Sequence, residues 1–139
     1  MLIEGDDIYH QVVGGYVQPW KEGNHLDTFW RVCVDMIKIY LMDGFDVVFN
    51  YIITPKNLSL LRSEFIDYTI KFVVLLADET TLLLRDEERP LDCQLKERCV
   101  TLLHDFENED YDMKNILDTS NLSVVDILQI IRDDIRFIL

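Results

Sequence analysis

Two adjacent aspartates, Asp6 and Asp7, follow a short apolar run and a glycine near the start of the chain, and three arginines, Arg85, Arg89 and Arg98, stand close together later in it. A carboxylate at the end of a strand accepts a proton from a substrate hydroxyl or holds magnesium through water. Because Asp6 and Asp7 are neighbours, their side chains diverge, and one of them is expected to face a site. Arginines that converge stabilise charge on a transferred anionic group. The plainer alternatives are a helix cap with a solvated acid for Asp6 and Asp7, and surface pairs with Asp86, Glu87 and Glu88 for Arg85 and Arg89. Tyr9, His10, Trp20 and His25 lie in one loop after the aspartates and offer aromatic and polar groups to a substrate. The histidines equally suit a plain surface, while Trp30 falls within an apolar helical stripe and His104 is read as structural. Asn50 in a strand needs hydrogen-bond partners, either at a cleft or on neighbouring backbone. Thr119, Ser120 and Asn121 form a polar turn that touches a ligand or simply leads into a cap at Ser123.

The elements that must carry these residues can be read from the patterning. The 139 residues are 49% hydrophobic, enough for one domain with a real core. A short strand at 2–4 ends at Gly5. Residues 8–24 hold Gly14, Gly15, Pro19 and Gly23 and read as a helical turn and loop. A helix from Leu26 to Met42 repeats apolar residues every three or four positions, with Asn24 or Asp27 as its cap and Gly44 as its left-handed stop. Residues 46–53 and 70–77 are almost continuously apolar, as strands covered on both faces are. Thr54-Pro55 opens a helix running to about Phe65, and Asp78 caps the next, with Arg85 near its end. A helix over Asp92 to Phe106, an acidic loop, a strand at 116–119 and a helix capped by Ser123 complete the chain. Strands alternating with helices predict an α/β fold, a mostly parallel sheet with helices on both faces. Ligands in such folds bind beyond the carboxyl ends of the strands, here Glu4 to Asp7, Ile53-Thr54, Ala77-Asp78 and Asp118 to Asn121.

The net charge is −13. Such a surface repels nucleic acid and anionic membranes, and it serves solubility. It does not draw ATP from a distance, so any anion site must be built locally. The three cysteines form no C-x-x-C pair and no zinc spacing. No apolar stretch is long enough to span a bilayer and no secretory leader opens the chain, so reduced thiols in a cytoplasmic protein are expected.

Three segments carry a resemblance. Glu4-Gly5-Asp6-Asp7-Ile8-Tyr9-His10 resembles the segment after the second strand of small-molecule kinases with a phosphate-binding loop, the gluconate, shikimate and adenylylsulfate kinases among them. Arg85-Asp86-Glu87-Glu88-Arg89-Pro90-Leu91 resembles the start of their lid, here about 85–106, and Leu117-Asp118-Thr119-Ser120-Asn121-Leu122-Ser123 their final strand and adenine turn. The resemblance implies a three-layer, doubly wound P-loop kinase-type sheet in a single truncated domain over 1–139. It implies ATP and magnesium where a phosphate loop is supplied, Asp6 or Asp7 as base, and Arg85, Arg89 and Arg98 as charge stabilisers. Thr119, Ser120 and Asn121 would line the base, and Tyr9, His10, Trp20 and His25 would select a small-molecule acceptor that the residues do not name. The chain departs from that family in one respect. No Gly-x-x-x-x-Gly-Lys-Ser/Thr segment occurs in it, and the family's first strand, central in the sheet, has no counterpart. Strands 46–53 and 70–77 must then pair directly or leave open edges, and a homodimer or exchanged element is expected. By itself the chain is expected to be nearly inactive. The alternatives are a non-catalytic interaction or oligomerisation protein derived from the kinase fold, or a start at Met1 that is internal to a longer frame.

Overall fold

The computed structural model describes residues 1–12 and 14–139. It is a mixed α/β structure with short parallel strand pairs. Contacts group the chain into two compact units, Met1–Glu64 and Phe65–Leu139.

In the first unit, β1 (Leu2–Glu4) runs into α1 (Gly5–Tyr9), and α2 (Leu26–Met42) carries the chain to β2 (Val48–Asn50) and then α3 (Pro55–Glu64). β1 and β2 pair in parallel, with Leu2 opposite Val48, Ile3 opposite Phe49 and Glu4 opposite Asn50. The crossover helix α2 buries Phe29, Trp30, Cys33, Val34 and Ile37, the predicted stripe. Phe29 and Trp30 meet edge to face at 5.4 Å, and Phe49 and Tyr51 close on Trp30 at 5.9 and 5.8 Å. Burial pushes the Cys33 thiol up to about 11, so this cysteine is an inert core residue. Neither expected cap residue holds that place: the N-cap is His25, which makes no side-chain cap bond, and Asn24 just before it accepts from the Leu26 amide on Oδ1 at 3.1 Å. The helix stops as Gly44 enters the left-handed region at φ 83°. The Phe45 amide then donates to Tyr40 O and the Gly44 amide to Leu41 O, the paired closure that satisfies the last carbonyls.

In the second unit, β3 (Val74–Leu76) leads into α4 (Glu79–Glu87) and α5 (Glu97–Asn108). A 3-10 turn at Met113–Asn115 precedes β4 (Ile116–Asp118), and α6 (Val124–Asp133) is followed by a second turn at Ile135–Phe137. β3 and β4 pair in parallel from Val74 opposite Ile116 to Leu76 opposite Asp118. Phe72, Val74, Leu103, Tyr111, Leu117 and Phe137 form the buried centre. Asp78 caps α4 by accepting from the Thr81 amide at 2.9 Å, and Ser123 and Asp126 cap α6 reciprocally.

Several expected boundaries move. Gly5 does not end a strand in a loop but is the first residue of α1. The strands expected at 46–53 and 70–77 contract to 48–50 and 74–76. In the second case the reason is a competing partner. The Phe72 amide donates to Phe137 O and the Leu139 amide to Ile70 O, an antiparallel link that removes 70–72 from the parallel ladder. Nor are the strands covered on both faces. Val48 is 63% and Leu75 51% exposed. The helix expected from Asp92 begins at Glu97, because a turn at 90–93 and a positive φ at Lys96 precede it.

Candidate functional site

Two strand-end clusters hold the chemically capable residues, one in each unit.

In the first unit, Gly5 is required by packing. A Cβ there would stand 2.5 Å from Tyr51 Cδ2 and 2.8 Å from Tyr51 Cβ and Cγ. The close approach sets Asp6 and Asp7 in the first turn of α1, both exposed, directly beyond the carboxyl end of β1. Asp6 O lies 2.7 Å from His10 Nδ1. A carbonyl only accepts, so Nδ1 donates to it, and Nε2 lies 3.2 Å from the Tyr16 hydroxyl. The Tyr16 ring stacks on His10 at 5.1 Å. Tyr9 is buried, its hydroxyl donating to Val17 O at 2.7 Å and accepting from the His25 amide at 3.4 Å. Tyr9 therefore pins the loop, while the His25 ring reaches Gly15 O at 3.3 Å and Trp20 is 58% exposed. The Tyr51 hydroxyl is pushed up to about 12, first by burial and then by the Asp6 carboxylate, and stays neutral. Asn50 donates to Glu4 Oε2 at 2.7 Å across the strand pair. The cluster offers exposed carboxylates and two imidazoles, His10 and His25, against a wall of packed rings.

In the second unit the cluster is a hydrogen-bond network. Thr119 is buried; its amide and hydroxyl both donate to Leu76 O, at 2.7 and 2.8 Å. Arg85 clamps the same residue, Nη1 on Thr119 Oγ1 at 3.0 Å and Nη2 on Thr119 O at 2.8 Å. Ser120 Oγ accepts from the Asp78 amide at 2.8 Å and donates to Asp118 Oδ1 at 2.6 Å, joining the carboxyl ends of β3 and β4. The Ser120 hydroxyl and amide hold the Asp118 carboxyl below its ordinary range, against desolvation and the like charge of Asp78. The Thr81 amide, with its hydroxyl, does the same for Asp78. Asn121 is exposed beside them.

Arg85 and Arg89 engage different partners. Arg85 is on Thr119, Arg89 Nη1 stands 3.5 Å from Asp86 Oδ1, and Arg98 lies half-buried in the first turn of α5. Asp78 and Asp118, which the sequence marks only as strand ends without a role, organise this end of the unit, and Asp86, which it marks only as an ion-pair partner, holds the Leu95 and Lys96 amides. The Asp118-x-Ser120 spacing, an aspartate that bonds backbone and hydroxyl two residues on, was the available signal. Asp86 gave none, because its amide partners lie nine and ten positions away. Among the described residues no three His, Cys, Asp or Glu side chains gather as a metal-ligand set, and no helix is long and apolar enough to cross a membrane.

No protein-family model matches this chain, and no curated protein matches it.

Proposed function

We propose that the chain is a phosphotransferase-type scaffold of the small-molecule kinase kind, which acts on a hydroxyl-bearing acceptor once a phosphate loop is supplied to it. The observation that carries the reading is the Arg85–Thr119 clamp. It joins the arginine assigned to charge stabilisation and the threonine assigned to the nucleotide turn at the carboxyl end of β4, where parallel α/β folds bind ligands. The parallel pairing within each unit and the order of the elements along the chain are in keeping with an α/β fold of that kind, although β2 pairs with β1 and β3 with β4, and the expected direct pairing of the 46–53 and 70–77 strands does not form.

The residues fit one end of a nucleotide. The Thr119–Asn121 turn, braced by Arg85 and Asp118, presents an exposed amide side chain and backbone groups to a base. They do not fit the triphosphate, because nothing in residues 1–139 supplies a Gly-rich amide cradle with its lysine. In this reading Arg89 and Arg98 meet transferred charge in the second unit, and the resemblance alone assigns Asp6 or Asp7 to the acceptor's proton and the His10 loop to the acceptor. In a completed site ATP would supply the phosphoryl group and magnesium would neutralise charge on the phosphate oxygens. Turnover by residues 1–139 alone lies far below the roughly 1–100 per second of working kinases.

The test is the melting temperature with and without millimolar ATP and magnesium, beside a turnover assay. Binding to the folded state raises the melting point by mass action. An ATP-specific rise of a few degrees without turnover is expected. No ATP-specific rise would overturn the nucleotide turn, and turnover at kinase rates would overturn the dependence on a supplied loop.

A second reading, a non-catalytic assembly protein, is favoured by Leu2 and Val48. They are register partners on one face of the β1–β2 pair, 59% and 63% exposed. A homodimer through this sheet would be broken by Val48→Lys with the fold retained. Unchanged sedimentation of the variant and the parent would count against it.

A further inference from the structure

Asp86 ends the buried side of α4 with its carboxylate only 6% exposed. Both its oxygens lie 3.0 Å from the Leu95 amide, and Oδ2 accepts from the Lys96 amide at 2.7 Å. The charged groups that face it, Arg89 and Lys96, are both cationic and favour the ionised form. A second bracket lies alongside. Gln94 Nε2 donates to Glu87 O at 3.2 Å and to Arg89 O at 3.0 Å, and the Cys93 amide closes a turn on Pro90 O. The loop then passes through Lys96 at φ 52°, ψ −129°, a conformation that suits glycine, before α5 begins. A non-glycine residue stays there only when its surroundings over-determine it.

We infer that Asp86 is a latch that welds residues 87–96 onto α4 and the start of α5, so that this loop is a preformed strap carrying Arg89 and does not open and close as a mobile lid. A carboxylate collecting backbone amides in a site shielded from water makes hydrogen bonds stronger than neutral ones. These bonds hold the strained Lys96 backbone in place. The inference concerns the loop's order and stands whatever reaction the chain performs.

Hydrogen exchange of the full chain at neutral pH tests it. The Leu95 and Lys96 amides should exchange as slowly as interior amides such as Leu103, where a mobile loop would leave them nearly unprotected. Asp86→Asn should speed both by at least about 10-fold, the scale of losing a hydrogen bond to a charged group, and leave Leu103 unchanged. Lys96→Gly should keep the protection and raise the melting temperature, since glycine tolerates that backbone. Fast exchange at Leu95 and Lys96 in the parent, or no change in a folded Asp86→Asn, would overturn the latch. If Asp86→Asn does not fold, the parent's exchange at these two amides decides.

Discussion

The two strand ends are built from different materials. In Met1–Glu64 the candidate carboxylates stand beside a packed wall of rings, Tyr9 on Phe29 at 5.6 Å and Phe29 on Tyr51 at 4.5 Å. In Phe65–Leu139 the equivalent end is a web of short polar contacts through Arg85, Thr119, Ser120, Asp78 and Asp118. Ring packing draws on apolar burial and holds no group that ionises in acid, whereas the web is directional and depends in part on ionised carboxylates. The first end leaves its acids exposed and available. The second commits most of its polar groups to bracing the turn.

Removing a ring should have the largest effect. Phe29→Ala should cost about 3–5 kcal/mol in urea unfolding, since Phe29 touches Tyr9, Trp30 and Tyr51 together. A loss under about 1 kcal/mol would mean that rings do not hold that end. Next comes Thr119→Val, which keeps the shape but strips the hydroxyl between Arg85 and Leu76 O. It should cost about 1–3 kcal/mol and should loosen the Arg85 side chain in NMR relaxation. Gly5→Ala tests the other end by overfilling it. About 1–3 kcal/mol should be lost as the Tyr51 ring is displaced.

Acid should separate the two ends. The carboxyls of Asp78, Asp86, Asp118, Asp126 and Asp133 are held below their ordinary range, mainly by amide, hydroxyl and guanidinium donors, and all lie in Phe65–Leu139. A folded-state pKa below the unfolded one adds stability that is complete above about pH 4 and is lost as pH falls through the folded values. Thr81, Leu95 and Ser120 amides should therefore lose protection in acid before those of Cys33 and Val34. Loss in the reverse order would break the comparison. The smallest effect is at a cap: Ser123→Ala should cost about 1 kcal/mol and fray the start of α6.

What the sequence made legible was local. The α2 stripe, the Gly44 stop and the Asp78 and Ser123 caps each depend on residues within a turn or two, and each forms where the pattern placed it. Strand length was not legible in the same way. Residues 70–72 read as the start of the same strand as β3, yet their backbone goes to residues 137–139, a partner no local pattern names. The aspartates at 6 and 7 were legible as a pair beyond a strand, but the reason for the glycine before them is a ring 46 positions away. Arg85 was legible as a functional candidate, while its hold on Thr119 depends on how the second unit folds.

The central claim is that the Arg85-braced turn at the end of β4 recognises the base of a nucleotide. An NMR titration of the isotopically labelled chain with magnesium and ATP, beside inorganic triphosphate at equal ionic strength, tests it most directly. The account predicts ATP-specific shifts at Asp78, Arg85, Thr119, Ser120 and Asn121 with millimolar saturation. Shifts confined to other residues, or identical responses to ATP and triphosphate, would contradict it.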